Sequence, residues 1–333
     1  MRGTFGVAYY LARGDLVATP SAVWIVTGAS GFVGGHVLRE LSDAERAVGL
    51  YRSAAPAGGR RVSSWTKDEL RAALEGATGV VHSAAVVHRP GAPDDEYVRF
   101  NVDGTHALIE AARSVGVKRF VFMSSIKVHG EDLRGTIDEN TPIAEESAYA
   151  ATKARAERIV LEAADLRPVV LRLCPVFGRG DKGNVRTMIR AIARRRFVVP
   201  GRGATKKSIV HVSTVAKVVR AAATRDATGT FVVADRTTPT IRELADTISD
   251  ALGRRRAPSI PLPLVRGAAE LVGRVARRLG RSTPISGELI DKSTRDSLCD
   301  PSRVTRDLGV DPHVDLAWAI RDEIDWLRSE RIL

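Results

Sequence analysis

Three side chains of this sequence have the types and the order of a proton-transfer site: Ser125, Tyr149 and Lys153. Tyr149 and Lys153 are four residues apart, so they share one face of a helix. A tyrosine hydroxyl has an ordinary pKa near ~10, and it acts as a base at neutral pH only where a nearby ammonium stabilises the phenolate. We therefore expect Tyr149 to exchange a proton with a substrate hydroxyl while Ser125 hydrogen-bonds the reacting oxygen.

A glycine-rich turn earlier in the chain has the spacing of a dinucleotide-binding loop. Gly28 permits a tight turn, Gly31 lets the backbone approach a pyrophosphate, and Gly34 allows close helix–sheet packing. The N-terminus of the following helix adds N–H donors and partial positive charge. We predict that a nicotinamide dinucleotide binds at this turn, which contributes Gly28, Ser30, Gly31, Phe32, Val33 and Gly34.

The choice between NAD and NADP is predicted from the end of the second strand, at 46–51. An acidic residue there would bind the ribose hydroxyls of NAD, but this chain has Arg52. A guanidinium pairs well with the 2′-phosphate of NADP. Arg52 therefore favours NADP slightly, and NAD stays open.

Short apolar strands alternate with helical segments through the first half of the chain. The strands are expected at 23–26, 46–51, 79–82, 120–123 and 168–173, and the helices at 32–41, 98–115 and 148–164. This alternation predicts an α/β fold with a Rossmann-type, doubly wound parallel sheet. Right-handed crossovers place all the strand carboxyl ends at one edge, where ligands bind.

After about residue 175 the alternation becomes less regular. We expect helices at 185–195, 240–252 and 264–279, short strands at 208–212 and 231–233, and a linker at 258–263. Thr240 is the expected N-cap of the helix at 240–252. The predicted organisation has three parts. They are an irregular N-terminal extension, compatible with disorder (1–22), a dinucleotide-binding domain (23–175), and mainly a substrate-binding α/β lobe with segments returning to the sheet (176–333).

The helix at 264–279 has an apolar stripe beside a basic face. The stripe comprises Val265, Ala268, Leu271, Val272, Val275 and Leu279, and the basic face comprises Arg266, Arg274, Arg277 and Arg278. One interpretation is a peripheral helix that packs on the lobe through this stripe. The other is a helix that lies on a membrane surface.

Composition excludes several classes of protein. The formal net charge is +12, but no nucleic-acid motif accompanies the basic residues, so we expect no nucleic-acid partner, and attraction of a phosphorylated substrate needs few of these charges. No apolar run reaches the ~20 residues of a membrane span. The cysteines, Cys174 and Cys299, have no metal-ligand spacing and cannot build a disulfide framework. We predict a cytoplasmic protein without a metal site.

The chain resembles the extended short-chain dehydrogenases/reductases of the NAD-dependent epimerase/dehydratase family, over roughly residues 23 to 325. Besides the glycine turn and the Tyr149–Lys153 pair, five segments carry the resemblance, at 81–85, 101–105, 124–130, 171–181 and 207–212. His129 stands where the family usually has tyrosine. By register with Gly130, the family's catalytic serine or threonine falls on Ser125.

The resemblance implies further cofactor contacts and a role for Lys153 in holding the nicotinamide ribose. Together with Tyr149 and Lys153, the residues implied at the cofactor are Ala84, Ala85, Asn101, Ser124, Pro175 and Val176. It also implies a homodimer formed through the helices around 101–114 and 148–164.

Among family members, the closest resemblance is to enzymes that act on UDP-N-acetylhexosamines, at C4 of the sugar, in polysaccharide synthesis. It implies substrate contacts from Ser125, Lys127, Asn184, Lys207 and Arg295. Family dehydratases carry Asp-Glu after the catalytic residue; this chain has Ile126-Lys127, which argues against 4,6-dehydration. A 4-epimerase and a 4-ketoreductase both stay open, as do a reductase of a non-nucleotide ketone and a redox-sensing regulator without enzymatic activity.

Overall fold

The computed structural model describes residues 22–87, 93–133, 135–278, 290–291 and 294–333. The predicted N-terminal extension lies outside the described residues, apart from Ala22. The strands are β1 (Val23–Thr27), β2 (Arg46–Tyr51), β3 (Arg60–Arg61), β4 (Gly79–His82), β5 (Arg119–Ser125), β6 (Thr136–Ile137), β7 (Val169–Leu173), β8 (Val176–Phe177), β9 (Val199–Pro200), β10 (Val210–His211), β11 (Gly229–Val233), β12 (Ser259–Ile260) and β13 (Leu298–Cys299).

The helices connect these strands and cover both faces of the main sheet. They are α1 (Phe32–Ser42), α2 (Lys67–Leu74), α3 (Asp94–Tyr97), α4 (Gly104–Ser114), α5 (Ala148–Glu162), α6 (Asn184–Ala193), α7 (Val212–Thr224), α8 (Ile241–Ala251), α9 (Leu262–Arg278), α10 (Ser302–Leu308) and α11 (Leu316–Ser329). A π-helical turn at Val98–Asp103 joins α3 to α4, and a 3-10 turn at Ile126–His129 follows β5.

The main sheet has seven parallel strands in the order β3-β2-β1-β4-β5-β7-β11. The strand order reverses direction between β1 and β4, which makes a crevice at the carboxyl edge of the sheet. The predicted fold class, an α/β Rossmann-type doubly wound sheet with a C-terminal α/β region, is therefore confirmed. The predicted strands at 46–51 and 79–82 coincide with β2 and β4.

Alternate residues of the strands face two different helix layers. Val26, Val81 and Val121 join α1 and α7 in one apolar cluster, whereas Ile25 and Val80 join α2, α4 and α5 in the other. Both faces of the strands are therefore buried, which explains why the strands are apolar without a polar–apolar alternation. This packing holds the carboxyl ends of β1, β4 and β5 in fixed register.

A third apolar cluster lies in the C-terminal part of the chain. It joins α6, α8 and α11 around Phe177, Ile189, Ile248 and Ile320. Three pairs of two-residue strands, β8–β10, β9–β12 and β6–β13, add parallel backbone pairing there. In contrast, β11 is an edge strand of the main sheet and α7 packs on that sheet.

Three expectations for local structure need correction. The segment predicted as a linker at 258–263 contains β12, because Val199 N–H donates to Pro258 and Gly201 N–H to Ile260. The segment at 98–115 is not one regular α-helix, since a π-helical turn precedes α4. The expected strand at 208–212 is reduced to the two residues of β10. The predicted N-cap of α8 is confirmed, because Thr240 forms a capping box with Glu243.

Candidate active site

The glycine turn has the backbone geometry that a bound pyrophosphate needs. Gly28 has a φ of +68° and its carbonyl accepts from Gly31 N–H at 2.9 Å. A Cβ on Gly34 would lie 2.1 Å from the Gly28 carbonyl oxygen, so only glycine allows α1 to start this close to the turn. Ser30 and Gly31 are exposed, and the first turn of α1 carries no acidic residue. Its free N–H groups therefore fit an anion.

The buried side chain of His82 holds the end of β1 and the loop after β4 in place through hydrogen bonds. The sequence did not indicate a role for this residue. Thr105 Oγ1 donates to the Asn101 carbonyl at 2.6 Å, so it accepts from His82 Nε2 at 3.1 Å. The Thr27 hydroxyl then donates to His82 Nδ1 at 2.8 Å and accepts from the N–H groups of Ser83 and Ala84. Burial lowers the pKa of His82 to about 3, so the ring stays neutral in this network.

Helix α5 carries Tyr149 and Lys153, and its start is capped from within the sequence. Ser147 Oγ accepts from Ala150 N–H at 3.2 Å, which places Tyr149 in the first helical turn. The Tyr149 hydroxyl hydrogen-bonds the Ser125 side chain. Ser125 ends β5 at the carboxyl edge of the sheet and also accepts from Lys127 N–H at 3.2 Å. The structure therefore brings together the serine and the tyrosine that the sequence predicted as partners.

The acidity of Tyr149 differs from the expectation. Burial is the largest influence and raises its pKa above 10, although the hydrogen bond from Ser125 lowers it. The sequence predicted that the phenolate is stabilised, which would lower this pKa. Because the pKa is raised instead, the resting hydroxyl is protonated at neutral pH, as a general acid must be.

Lys153 is almost completely buried beneath the tyrosine. Its Nζ donates to the Met123 carbonyl at 2.6 Å and lies 4.0 Å from the centre of the Phe122 ring. Burial lowers the pKa of Lys153 to about 7, and the negative charge of Glu157 partly opposes that shift. The amine therefore exchanges its proton near neutral pH, which suits a residue that assists proton transfer.

A buried ion pair between α5 and β7 lies next to Lys153. Glu157 and Arg172 pair at 2.8 Å, and Arg172 also donates to His129 Nε2 at 3.3 Å. His129 Nδ1 donates to the Pro142 carbonyl at 3.0 Å, which fixes its tautomer. The Ser124 hydroxyl donates to Glu157. Ser124 was predicted to bind the cofactor, and in the structure its hydroxyl hydrogen is directed toward Glu157 in this network.

Asn101 holds the loop after β4 against α5. Its amide oxygen accepts from Val86 N–H at 2.8 Å, and its amide nitrogen donates to the Val86 carbonyl at 3.0 Å and to Thr152 Oγ1 at 3.3 Å. Asn101 lies within the π-helical turn, and such turns are frequent at functional sites. Asn101 was predicted at the cofactor, and its three hydrogen bonds make it a residue that positions the loop.

The other predicted cofactor residues lie along the carboxyl edge of the sheet. Ala84 packs so closely on the turn that a Cβ on Gly28 would lie 2.8 Å from its nitrogen. Arg52 is exposed directly after β2. The remaining positions are partly or fully exposed and follow β4, β7 and the turn: Phe32, Val33, Ala85, Pro175 and Val176.

Three predicted substrate cations come together from distant parts of the sequence. Lys127 follows Ser125 closely. Burial lowers the pKa of Lys207, and the nearby charge of Lys127 makes a smaller contribution in the same direction. Lys207 Nζ donates to the Arg295 carbonyl. Arg295 also borders an open cleft of about 410 Å³. The cations are balanced by acidic groups, since Lys127 pairs with Glu131 and Arg295 with Asp132.

Asn184 lies at a different corner of the site. It is the exposed first residue of α6, which begins directly after Gly183. The carboxylate of Asp181 accepts from Gly183 N–H at 2.5 Å and from Arg186 N–H at 3.4 Å. The loop before it contacts the cofactor helix, because His36 Nε2 bonds the Arg179 carbonyl at 2.8 Å. No contact in the described part of the chain joins Asn184 to the cluster of Lys127, Lys207 and Arg295.

Sequence reasoning missed the buried polar residues that hold the site in place. Glu157 is four residues after Lys153 on the same face of α5, so helical spacing could have identified it. His82 stands at the end of an apolar strand, where a buried polar side chain needs partners. Nothing in the sequence marks which distant residues, Thr27 and Arg172 among them, would be those partners.

Comparison with protein families gives a match over most of the described sheet. The model of the NAD dependent epimerase/dehydratase family matches residues 24–234, more than half of the chain. The match includes the glycine turn and the Ser125, Tyr149 and Lys153 set.

Two curated proteins illustrate the range of relatives. The N-acetyl-alpha-D-glucosaminyl-diphospho-ditrans,octacis-undecaprenol 4-epimerase of Escherichia coli O157:H7 is 26% identical over 257 residues, 73% of this chain and 76% of the relative. The 4-hydroxy-2-methyl-3-oxo-4-farnesyl-3,4-dihydroquinoline-1-oxide ketoreductase of Stigmatella aurantiaca is 30% identical over 262 residues, 74% of this chain and 78% of the relative.

Among solved structures, MoeE5 in complex with UDP-glucose and NAD is similar in fold. It superposes with a TM-score of 0.72 at 25% identity, and the match covers 93% of this chain and 99% of that one. That structure holds NAD, and the comparisons give no support to the NADP preference predicted from Arg52.

Proposed function

The chain belongs to the NAD dependent epimerase/dehydratase family, and on that premise we propose that it is an NAD-dependent enzyme acting at C4 of a sugar linked to a diphosphate, as a UDP-sugar 4-epimerase does. One observation carries the proposal. The hydrogen-bonded Ser125–Tyr149 pair above Lys153 lies beside the cations of Lys127, Lys207 and Arg295. Acid–base chemistry and a diphosphate clamp therefore share one edge of the sheet.

The glycine turn fits NAD on geometric grounds. Gly28 and Gly34 leave room that any side chain would fill, and the exposed Gly31 opens α1 toward an anion. When bound there, NAD supplies a hydride acceptor at the sugar carbon. The residues that hold it in this proposal are the turn, the backbone of Ala84 and, at the ribose, Lys153.

Tyr149 and Ser125 do the proton chemistry in this proposal. With NAD bound as the hydride acceptor and later the hydride donor, Tyr149 would accept the proton of the 4-hydroxyl when C4 is oxidised and return it to the same oxygen when C4 is reduced. Ser125 would hydrogen-bond that oxygen in both directions. The raised pKa of Tyr149 suits the return of the proton, and the charge of the oxidised nicotinamide favours the phenolate when C4 is oxidised.

The carrier of the sugar has two candidate chemistries that share a diphosphate. Lys127 and Arg295 are held in exposed ion pairs with Glu131 and Asp132, and exposed pairs are weak enough for phosphate oxygens to replace the carboxylates. We propose UDP as the carrier because the NAD complex of the solved relative holds UDP-glucose. A polyprenol diphosphate is the second candidate, since the 26% identical relative is named for such a substrate.

A reductase of a non-nucleotide ketone is the competing function. It is favoured by the 30% identical relative, which is named as a ketoreductase of a farnesylated quinoline oxide. The same Ser125, Tyr149 and Lys153 would serve it, without any need for the cationic cluster. We assign residues 176–333 mainly to a substrate-binding lobe, and a homodimer interface to α4 and α5.

Isotope transfer separates these functions. The protein would be incubated with a UDP-N-acetylhexosamine deuterated at C4, and separately with deuterated NADH or NADPH and a 4-keto-6-deoxy sugar nucleotide. A C4 isomer of unchanged mass, without net change in cofactor, supports the epimerase. Deuterium transferred from the cofactor supports the ketoreductase. If neither substrate reacts while the farnesylated quinoline oxide is reduced, action on a sugar diphosphate is refuted.

A further inference from the structure

Helix α9 is attached to the rest of the protein by a narrow face. Ala269 and Gly273 are buried, and Leu262, Val265 and Ala276 are half-buried, at spacings of three and four residues. These positions form one side of the helix. The apolar stripe that the sequence suggested for packing is a different side, so packing through that stripe is wrong apart from Val265.

The remaining apolar side chains of α9 are exposed and contiguous. Leu264 is 64% exposed, Leu271 is 56%, Val272 is 46% and Val275 is 47%. They follow one another at helical spacing and Ala268 lies between them, also exposed. The other large apolar side chains exposed in the described part of the chain come from separate segments. A contiguous exposed apolar face usually marks an interaction surface.

Arginines border this apolar face. Arg266 pairs with Glu270 at 3.2 Å and with Asp291 at 3.5 Å, which anchors the helix beside the segment that carries Arg295. Arg274 and Arg278 are exposed, and no acidic side chain of the described residues pairs with them. This face therefore combines large apolar side chains with the exposed positive charges of Arg274 and Arg278. The formal net charge of the chain is +12.

We propose that α9 is an interfacial helix that docks the protein on an anionic lipid bilayer. Helices that lie in the plane of a membrane combine exposed leucine and valine on one face with lysine or arginine beside it. α9 has this arrangement over 17 residues. No helix among the described residues is long and apolar enough to cross a membrane.

The position of α9 connects this surface with the proposed substrate site. Arg266 of the helix pairs with Asp291, four residues before Arg295 in the sequence, and Arg295 borders the open cleft. Docking would therefore place the cleft next to the headgroups. This consequence for the substrate rests on the proposed function, whereas the docking itself does not.

Vesicle binding tests the docking without any substrate. The protein would be sedimented with vesicles of phosphatidylcholine containing about one third phosphatidylglycerol, and with vesicles of phosphatidylcholine alone. We expect binding to the anionic vesicles that is about tenfold stronger than to the neutral ones. Absence of binding to both, or equal binding to both, overturns the proposal.

Paired variants test whether α9 is the contact. The double substitution Leu271→Gln with Val275→Gln should abolish vesicle binding, while Ile143→Gln with Leu161→Gln, which removes two exposed apolar side chains elsewhere, should not. Arg274→Gln with Arg278→Gln should weaken binding about tenfold, compared with the exposed control pair Arg194→Gln and Arg196→Gln. Vesicle binding that survives the α9 substitutions refutes docking by α9.

Two further measurements distinguish membrane docking from self-association and from a role of α9 in turnover. Light scattering across a range of protein concentrations shows whether a second copy of the chain covers the stripe. Membrane docking is overturned if the protein does not bind vesicles but self-associates, and if Leu271→Gln with Val275→Gln abolishes that self-association. Turnover of a UDP-sugar should be unchanged in that variant, because its side chains are outside the active site. Loss of vesicle binding with intact turnover separates the docking surface from the proposed reaction.

Discussion

The two sides of the active site are held in different ways. Beneath the cofactor edge, buried hydrogen bonds fix Thr27, His82 and Asn101, and the buried Glu157–Arg172 pair supports α5. On the substrate side, Lys127 and Arg295 are held by exposed ion pairs with carboxylates. Buried networks define one geometry, whereas exposed pairs exchange partners at little cost. The cofactor side therefore has one fixed geometry that suits one cofactor. On the substrate side, Lys127 and Arg295 can release their carboxylate partners and bind the phosphate oxygens of a substrate instead.

The largest expected effect is on the cofactor side. Replacing Tyr149 with phenylalanine removes the proton donor but keeps the ring, so turnover should fall by about a thousandfold or more while NAD binding persists. Steady-state kinetics and a fluorescence titration with NAD measure the two quantities. Ser147→Ala, which removes the cap of α5 and a hydrogen bond to Glu131 but no proton donor of the reaction, is the control and should retain most activity. Retained turnover in Tyr149→Phe would show that another group moves the proton.

The second prediction compares a buried pair with an exposed one. Glu157→Gln leaves Arg172 buried without its counter-charge, which should lower the free energy of unfolding by about 3 kcal/mol. Asp165→Asn breaks the exposed pair with Arg113, and its unfolding midpoint should stay close to that of the wild type. Urea denaturation of the variants and the wild type gives the comparison.

The same substitution has a chemical consequence that a purely structural role lacks. The charge of Glu157 raises the pKa of Lys153, so its removal should lower that pKa further below about 7. The pH dependence of turnover in Glu157→Gln should therefore shift to lower pH. If Glu157→Gln has the same unfolding midpoint as Asp165→Asn and the pH profile of the wild type, the buried pair is no more important than an exposed one, and the proposed difference between the two sides is wrong.

The part of the site predicted from the sequence is the part set by backbone geometry and short spacing. The glycine turn needs particular φ angles and close approach at Gly28 and Gly34, and these requirements leave a local pattern. Tyr149 and Lys153 are one helical turn apart, so a single helix places both. The sequence also predicted the sheet, because buried parallel strands are short apolar runs between helices.

The residues that the sequence did not reveal depend on contacts between distant segments. Ser124 and Ser125 are adjacent, yet strand alternation turns Ser124 toward Glu157 and leaves Ser125 for Tyr149. The exposure of the stripe on α9 depends on which face Ala269 and Gly273 bury, and periodicity alone supports either face. The π-helical turn at Asn101 likewise follows from its contacts with Val86 and Thr152.

The third prediction concerns a buried acid in the substrate half. Burial, with a smaller contribution from Asp181, raises the pKa of Glu323 on α11 to about 8. The folded protein thus holds a proton that the unfolded chain releases near its ordinary pKa of 4.5. This contribution to stability is fully present below pH 4.5 and is lost as pH rises toward 8, at about 1.4 kcal/mol per pH unit.

Unfolding of the wild type and Glu323→Gln as a function of pH tests this account. The variant carries no titrating group at that position, so its stability should fall less steeply between pH 5 and 8 than that of the wild type. Glu330→Gln, at an exposed position just after α11, is the control and should keep the wild-type slope. Identical slopes for Glu323→Gln and the wild type would show that the carboxyl is ionised in the folded protein.

The smallest expected effect belongs to the exposed cations. Lys207→Gln should raise KM for a UDP-sugar about tenfold and change kcat little, because a diphosphate contact stabilises the ground state and the transition state alike. Lys206→Gln, one residue earlier and exposed, is the matched control with the same loss of charge. An equal rise in KM for both variants would indicate long-range attraction by the net charge of +12 rather than a built contact. A fall in kcat with unchanged KM would place Lys207 in the chemical step and remove the contrast between a fixed cofactor side and an exchangeable substrate side.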